Sequence, residues 1–264
     1  MWTSNHPIRQ WRGRRVWLIG ASDGIGLALG RELLKQGASL VVSARRAEAL
    51  SQEFPEPSVT KCPLDVTDPR SLQQTIRHLQ QIEQLPDVVI WLVGQYEPSP
   101  LLELQPERAK AVLQVNLLSA YDALAAVLPI WQEALGQHRW PFRPHWVFFS
   151  SVAGYRGLPM AADYGASKAG LTYLAQVAHL ELQPRGIDVS VVCPGFVQTR
   201  LTQKNQFEMP GLLSPDQAAQ ATLRGLASGA FEIHYPFRLS GFLKLLGLLP
   251  IGLYLRLVRR LTRA

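Results

Sequence analysis

The stretch Val16-Trp17-Leu18-Ile19-Gly20-Ala21-Ser22-Asp23-Gly24-Ile25-Gly26-Leu27-Ala28-Leu29 decides the fold. Its first four residues are apolar and read as a short buried strand. Beyond the glycines, Ile25, Ala28, Leu29 and Leu33 recur on one helical face, and Gly37 can end that helix. Gly20, Gly24 and Gly26 allow a tight turn and a close backbone approach to a phosphate. The helix start then offers unpaired N–H groups and the positive end of a dipole. The spacing is G-x-x-x-G-x-G, not the commoner G-x-G-x-x-G. A glycine-rich turn without a ligand would look the same in isolation. Its place between the first strand and the first helix points to nucleotide binding, with Ser22, Asp23 and Ile25 joining the glycines as contacts.

Working outward, strands are expected at 40–43, 59–62, 88–93, 146–149, 189–193 and 232–235. Helices are expected at 68–85, where Asp68-Pro69 forms a cap, at 106–128 with Pro129 as the stop, at 164–182 before Pro184, and from Ser214-Pro215-Asp216 onward. Strands alternating with helices imply a parallel sheet covered on both faces. The fold class is therefore α/β: a single doubly wound Rossmann-type domain over 1–264. Residues 1–14 form a basic N-terminal extension, and 237–264 a basic amphipathic C-terminal segment.

The chain has 264 residues, an ordinary apolar share of 47% and a net charge of +7. That charge is compatible with an anionic ligand, an anionic membrane or no partner at all. No basic run interleaved with aromatics supports a nucleic-acid role. Cys62 and Cys193 each precede a proline and fit neither a zinc nor a disulfide spacing, so two buried thiols, no metal site and a cytoplasmic setting are expected. The N-terminus lacks the apolar core of a signal peptide. No stretch reaches the roughly 18 apolar residues of a spanning helix; the longest, 245–255, contains Pro250.

Two further features carry chemistry. The second strand ends Val42-Ser43-Ala44-Arg45-Arg46, without the acidic residue that would hold a ribose 2′-hydroxyl. A guanidinium there, from Arg45 or Arg46, favours a 2′-phosphate, hence NADP(H) over NAD(H). Tyr164-Gly165-Ala166-Ser167-Lys168 sets a phenol and an ammonium one helical turn apart. A nearby cation should lower the phenol's pKa and let it exchange a proton with a carbonyl or alcohol oxygen.

Taken together, these features resemble the short-chain dehydrogenase/reductase family over nearly the whole chain. The resemblance implies roles for further residues. Ser151, thirteen positions before Tyr164, matches the family's catalytic serine; the adjacent Ser150 is the weaker alternative. Asn116, in Val115-Asn116-Leu117, matches the asparagine of its catalytic tetrad and would hold a water linking Lys168 to solvent. Asp65-Val66 matches the adenine-contacting pair, Gly94 the end of the fourth strand, and Pro194-Gly195 with Val197 and Thr199 the nicotinamide loop. Tyr164 would be the general acid or base, and Lys168 would bind the ribose hydroxyls. The implied activity is hydride transfer between NADP(H) and a small-molecule carbonyl or secondary alcohol, in a homodimer or homotetramer.

The chain also departs from the family. Trp91-Leu92-Val93-Gly94 replaces Asn-Asn-Ala-Gly, Ile19 replaces a threonine, and Asp23 places an acid in the phosphate loop. After Tyr235 the chain turns Leu-rich and basic. Arg256, Arg259, Arg260 and Arg263 share a helical face, open to peripheral membrane contact, closure over the pocket or an oligomer interface. The apolar tail is compatible with a lipophilic or acyl substrate. Two other readings are an NADPH-binding regulatory protein with little turnover, for which Trp91-Leu92 leaves room but against which the intact Ser151, Tyr164 and Lys168 argue, and a nucleotide-sugar epimerase, disfavoured by the short tail.

Overall fold

In the computed structural model, which describes residues 4–137, 141–204 and 208–262, seven parallel strands form one sheet. They are β1 (Arg15–Ile19), β2 (Ser39–Ser43), β3 (Thr60–Lys61), β4 (Val88–Trp91), β5 (His145–Phe149), β6 (Asp188–Pro194) and β7 (Glu232–Tyr235), in the order β3-β2-β1-β4-β5-β6-β7. The order reverses between β1 and β4, and the crevice for a ligand opens at that point, beyond the carboxyl ends of the strands. β4, β5 and β6 are buried along their whole lengths, as strands covered on both faces must be.

One face carries α1 (Gly24–Lys35), α2 (Ala47–Glu53) and α7 (Pro215–Ala227). The other carries α3 (Pro69–Gln81), α4 (Pro106–Leu113), α5 (Ser119–Gly136) and α6 (Ala162–Leu182). The caps follow local chemistry. The Asp23 carboxylate accepts from Gly24 N and the Asp68 carboxylate from Arg70 N, while Ser214 and Gln217 form a reciprocal capping box. Residues near the N-terminus close the base of the sheet. Asn5 Nδ2 donates to Val189 O at 2.8 Å, and Ile8 and Trp11 are buried against α7 and β1. Two further helices, α8 (Phe237–Gly247) and α9 (Ile251–Thr262), follow β7.

Several expected boundaries need correction. Pro129 does not stop the long helix; it lies inside α5, which runs on to Gly136. The carbonyl that its missing N–H leaves unbonded belongs to Ala125, and both residues are exposed, so water can serve that carbonyl. Buried Trp131, whose Nε1 donates to Pro86 O at 2.8 Å, holds the continuing turn to the sheet. The helix from Asp68 ends at Gln81, because Glu83 takes a left-handed φ of 57°. The helical stretch Pro106–Gly136 is long and apolar enough to span a membrane, contrary to expectation. Here it packs against the sheet through Ala120, Ala123, Val127 and Trp131. Residues 1–3 of the N-terminal extension, residues 205–207 and Arg263 of the basic face lie outside the described residues.

Candidate active site

A cavity of about 840 Å³ runs along the carboxyl edge of the sheet, large enough for a dinucleotide. At one end lie Ser43, Arg45, Arg46, Asp65, Val66 and Thr67; at the other lie Ser151, Tyr164, Lys168 and the 194–202 loop. Gly20 to Gly26 form the floor between them. Gly20 adopts φ 97°, and its amide donates to Ser43 O at 2.8 Å, which ties the loop to the end of β2. Gly26 sits so close to this turn that a Cβ there would lie 2.2 Å from the Gly20 carbonyl oxygen. The first turn of α1 therefore comes hard against the loop, and Gly24, Ile25 and Gly26 line the cavity.

The adenine end is built from short polar turns. Asp65 accepts from Thr67 N at 2.9 Å and Thr67 Oγ1 at 2.7 Å. Those bonds, with a smaller contribution from Arg45, hold its carboxyl below the usual range. Arg45 and Arg46 are exposed at the cavity rim, and no acid replaces the missing one at the end of β2.

At the opposite end α6 carries the phenol and the ammonium. Lys168 is buried, and its Nζ donates to Phe149 O at 2.8 Å and lies 3.4 Å from Val93 O. These carbonyls, at the ends of β5 and β4, anchor the ammonium where the sheet opens. Burial pulls the Lys168 pKa down to about 8. Burial also pushes the Tyr164 phenol up to about 12, against the opposing pull of the Ser151 hydroxyl. The depressed phenol expected from sequence is thus not the balance struck here. Nζ lies 5.8 Å from the Tyr164 ring centroid, and desolvation of the phenolate dominates, with Tyr96 and Cys193 adding to it. Tyr164 keeps its proton at neutral pH.

The two candidate serines differ sharply. Ser150 is turned into α6: its hydroxyl donates to Lys168 O at 2.8 Å and meets Thr172 Oγ1 at 2.7 Å. Ser151 faces Tyr164 and caps the turn that follows, accepting from Ala153 N at 3.1 Å. Asn116 lies outside the cavity lining, fully buried in a single wide turn, Gln114–Leu118, between α4 and α5. Its amide clamps the chain beyond β4, accepting from Gln95 N at 2.7 Å and donating to Gln95 O at 2.9 Å and Ser167 Oγ at 3.0 Å.

Trp91 and Leu92 repack the region by apolar contact. Trp91 is completely buried and stacks on Trp146 with ring centroids 6.2 Å apart. Leu92 turns to the opposite face and packs beneath Gly20.

Sequence reasoning missed two participants. Tyr96 stands edge-on to Tyr164, with centroids 4.9 Å apart; an aromatic two residues after Gly94 was the available signal. Arg200 Nε reaches Asp23 Oδ2 at 2.6 Å, linking the loop after β6 to the phosphate loop. No local pattern could pair residues so distant in sequence.

Residues 14–209 match the family described as short chain dehydrogenase. An oxidoreductase of Myxococcus xanthus, itself uncharacterized, is 32% identical over 94% of this chain and 97% of its own. The ketoacyl reductase HetN of Nostoc is 29% identical over 84% of this chain and 78% of its own. Among solved structures, a short chain dehydrogenase from Burkholderia cenocepacia in complex with NADP superposes with a TM-score of 0.81 at 25% identity, covering 94% of this chain and 98% of that one. A Burkholderia phymatum member in complex with NAD shares the fold, with a TM-score of 0.80 at 20% identity over 90% and 94% of the two chains.

Proposed function

The chain belongs to the short-chain dehydrogenase/reductase family, and on that premise we propose that it interconverts a lipophilic carbonyl compound and its secondary alcohol with NADP(H), Tyr164 exchanging the proton. One observation carries the reading: the Tyr164 phenol faces the Ser151 hydroxyl at the end of a dinucleotide-sized cavity, with Lys168 on the next turn of the same helix.

The chain's residues fit that cofactor. The glycine loop and the start of α1 would hold the pyrophosphate, Asp65 and Val66 the adenine side, and Pro194, Gly195, Val197 and Thr199 the carboxamide side. Arg45 would take the 2′-phosphate, since a guanidinium and no acid stands at the end of β2; the NADP and NAD complexes among the similar structures support a nicotinamide dinucleotide of either kind. When bound, the nicotinamide supplies or accepts the hydride.

The remaining work falls to side chains. Ser151 donates to the substrate oxygen and stabilises the charge that develops there. Tyr164 donates its proton to that oxygen in reduction and must take one back in oxidation. The protonated phenol is the form that donates in reduction. Lys168, anchored by Phe149 O and Val93 O, would bind the ribose hydroxyls. Asn116 keeps Gln95 in place, and so the wall beside Tyr96 and Tyr164. The lipophilic substrate rests on the Leu-rich C-terminal segment and on the ketoacyl reductase among the relatives. A cytoplasmic homodimer or homotetramer belongs to the same reading.

The test is NADPH-dependent turnover of ketones and aldehydes of graded chain length by the wild type and Tyr164→Phe. Turnover should fall by about 10²- to 10⁴-fold in the variant, the usual contribution of a general acid. NADPH affinity should stay within a few-fold. A variant that turned over like the wild type would refute the assignment.

A further inference from the structure

We propose that the turn joining α8 to α9 is a membrane-docking tip that seats the protein on an anionic phospholipid bilayer. Between Lys244 and Arg256 the chain carries no charge: Leu245-Leu246-Gly247-Leu248-Leu249-Pro250-Ile251-Gly252-Leu253-Tyr254-Leu255. One side of this segment closes a small core, where Leu246, Tyr254 and Val258 are buried against Leu158. The other side is left outside. Leu248 is 82% exposed, Leu245 66% and Ile251 57%. These exposed apolar side chains flank the turn between the end of α8 and the start of α9, as an interfacial wedge requires.

The surrounding charge selects the occupant. No aspartate or glutamate follows Glu232, while Arg256, Arg259 and Arg260 stand exposed along α9 just behind the tip. Apolar residues leading and cations behind match the acyl and headgroup layers of an anionic leaflet. A second copy fits less well, because a two-fold contact through this tip would set the arginines of α9 against their own copies.

The tip is also fixed to the catalytic loop. Arg156 Nη1 donates to Gly247 O at 2.8 Å and Leu249 O at 2.9 Å, and its guanidinium lies 4.5 Å from the Tyr254 ring centroid. Tyr254 Oη donates to Gly157 O at 2.8 Å. Both anchors lie in the segment running from Ser151 to Tyr164. The two ends of that segment, Ser151 and Tyr164, line the cavity. Docking of the tip therefore holds the catalytic end of the cavity close to the lipid. This orientation, unlike the docking itself, rests on the reaction proposed above.

The experiment uses the full chain with NADPH and sedimentation with phosphatidylcholine vesicles, with and without phosphatidylglycerol. The wild type should co-sediment with the anionic vesicles, less so as salt rises. Leu248→Glu with Ile251→Glu should lower partitioning at least about tenfold, while melting temperature and turnover of a short, water-soluble ketone stay at wild-type levels. Turnover of a long-chain ketone dissolved in the vesicles should fall with partitioning. Arg256→Gln with Arg259→Gln and Arg260→Gln leaves the tip intact and should remove only the preference for anionic vesicles, by roughly fivefold per cation. Wild type that stays in the supernatant, or a tip variant that sediments like the wild type, overturns the proposal. So does a tip variant that changes the mass measured by light scattering, which would mark the tip as a contact between copies. If no ketone is reduced but the tip variant loses vesicle binding, docking stands and the reaction falls, with the orientation drawn from it.

Discussion

Replacing Gly26 with alanine probes the cofactor cradle at its tightest point. The added Cβ would lie 2.2 Å from the Gly20 carbonyl oxygen, inside the 3.0 Å that real Cβ atoms respect, so backbone must move by at least 0.8 Å. No flexible side chain can yield instead, since the next nearest atoms, Ala21 Cα and the Gly20 carbonyl carbon, are also backbone at 3.1 Å. Overpacking of this kind costs about 1–3 kcal/mol. The strain falls on the turn that meets the phosphates, so NADPH affinity should weaken by roughly 5- to 150-fold. Calorimetric titration with NADPH reads the affinity, and a thermal melt without cofactor reads the stability. Gly136→Ala is the control: it lies in the last turn of α5 with nothing within 4 Å of an added Cβ, and alanine is the better helix former. If Gly26→Ala bound NADPH within twofold of the wild type, the loop could not be the cradle described.

Three other outcomes follow. Trp91→Asn, which restores the family's usual residue, should destabilise the fold by about 3–5 kcal/mol in urea titration, because a fully buried ring stacked on Trp146 is deleted; a neutral result would refute the repacking account. Arg45→Asp should shift preference from NADPH toward NADH in paired affinity measurements, and an unchanged ratio would remove Arg45 as the selector. Lys168 loses its proton near pH 8 when folded and near 10.5 when unfolded. Across that window the unfolded chain binds the extra proton, so the Lys168 contribution to stability should rise with pH by roughly 3 kcal/mol. It runs against an opposing fall from the buried Cys62 and Cys193 thiols, held up at about 11 and about 12, and from the Tyr164 phenol, held at about 12; the difference between wild type and Lys168→Met isolates it. The rise should vanish in Lys168→Met, and denaturation at stepped pH measures it.

Much of the fold was legible because its signals are local. The glycine spacing, the apolar run of β4 and the caps at Asp68 and Ser214 depend on neighbours within a turn or two, and each lies where sequence put it. Pro129 was misread because the residue that carries the helix past it, Trp131, gains its hold from Pro86, far away in sequence. The electrostatics of the site were misread for a related reason. Spacing on a helix brings Tyr164 and Lys168 together, but the depth of burial that raises one pKa and lowers the other comes from the sheet ends around them. The Asp23–Arg200 link and the clamp of Asn116 on Gln95 join segments that only the closed sheet brings into contact. The loss of the two asparagines was visible in sequence; how Trp91 and Leu92 fill opposite faces of the sheet was not.

The most direct test of Tyr164 as proton donor is a single-turnover measurement with NADPH deuterated at the transferring carbon, following deuterium into the alcohol product. The wild type should deliver one deuterium per molecule of alcohol formed. Tyr164→Phe, with NADPH bound to the same extent, should form that product about 10²- to 10⁴-fold more slowly. Deuterated alcohol appearing at the wild-type rate in the variant, or none appearing in the wild type with any carbonyl offered, would contradict the account.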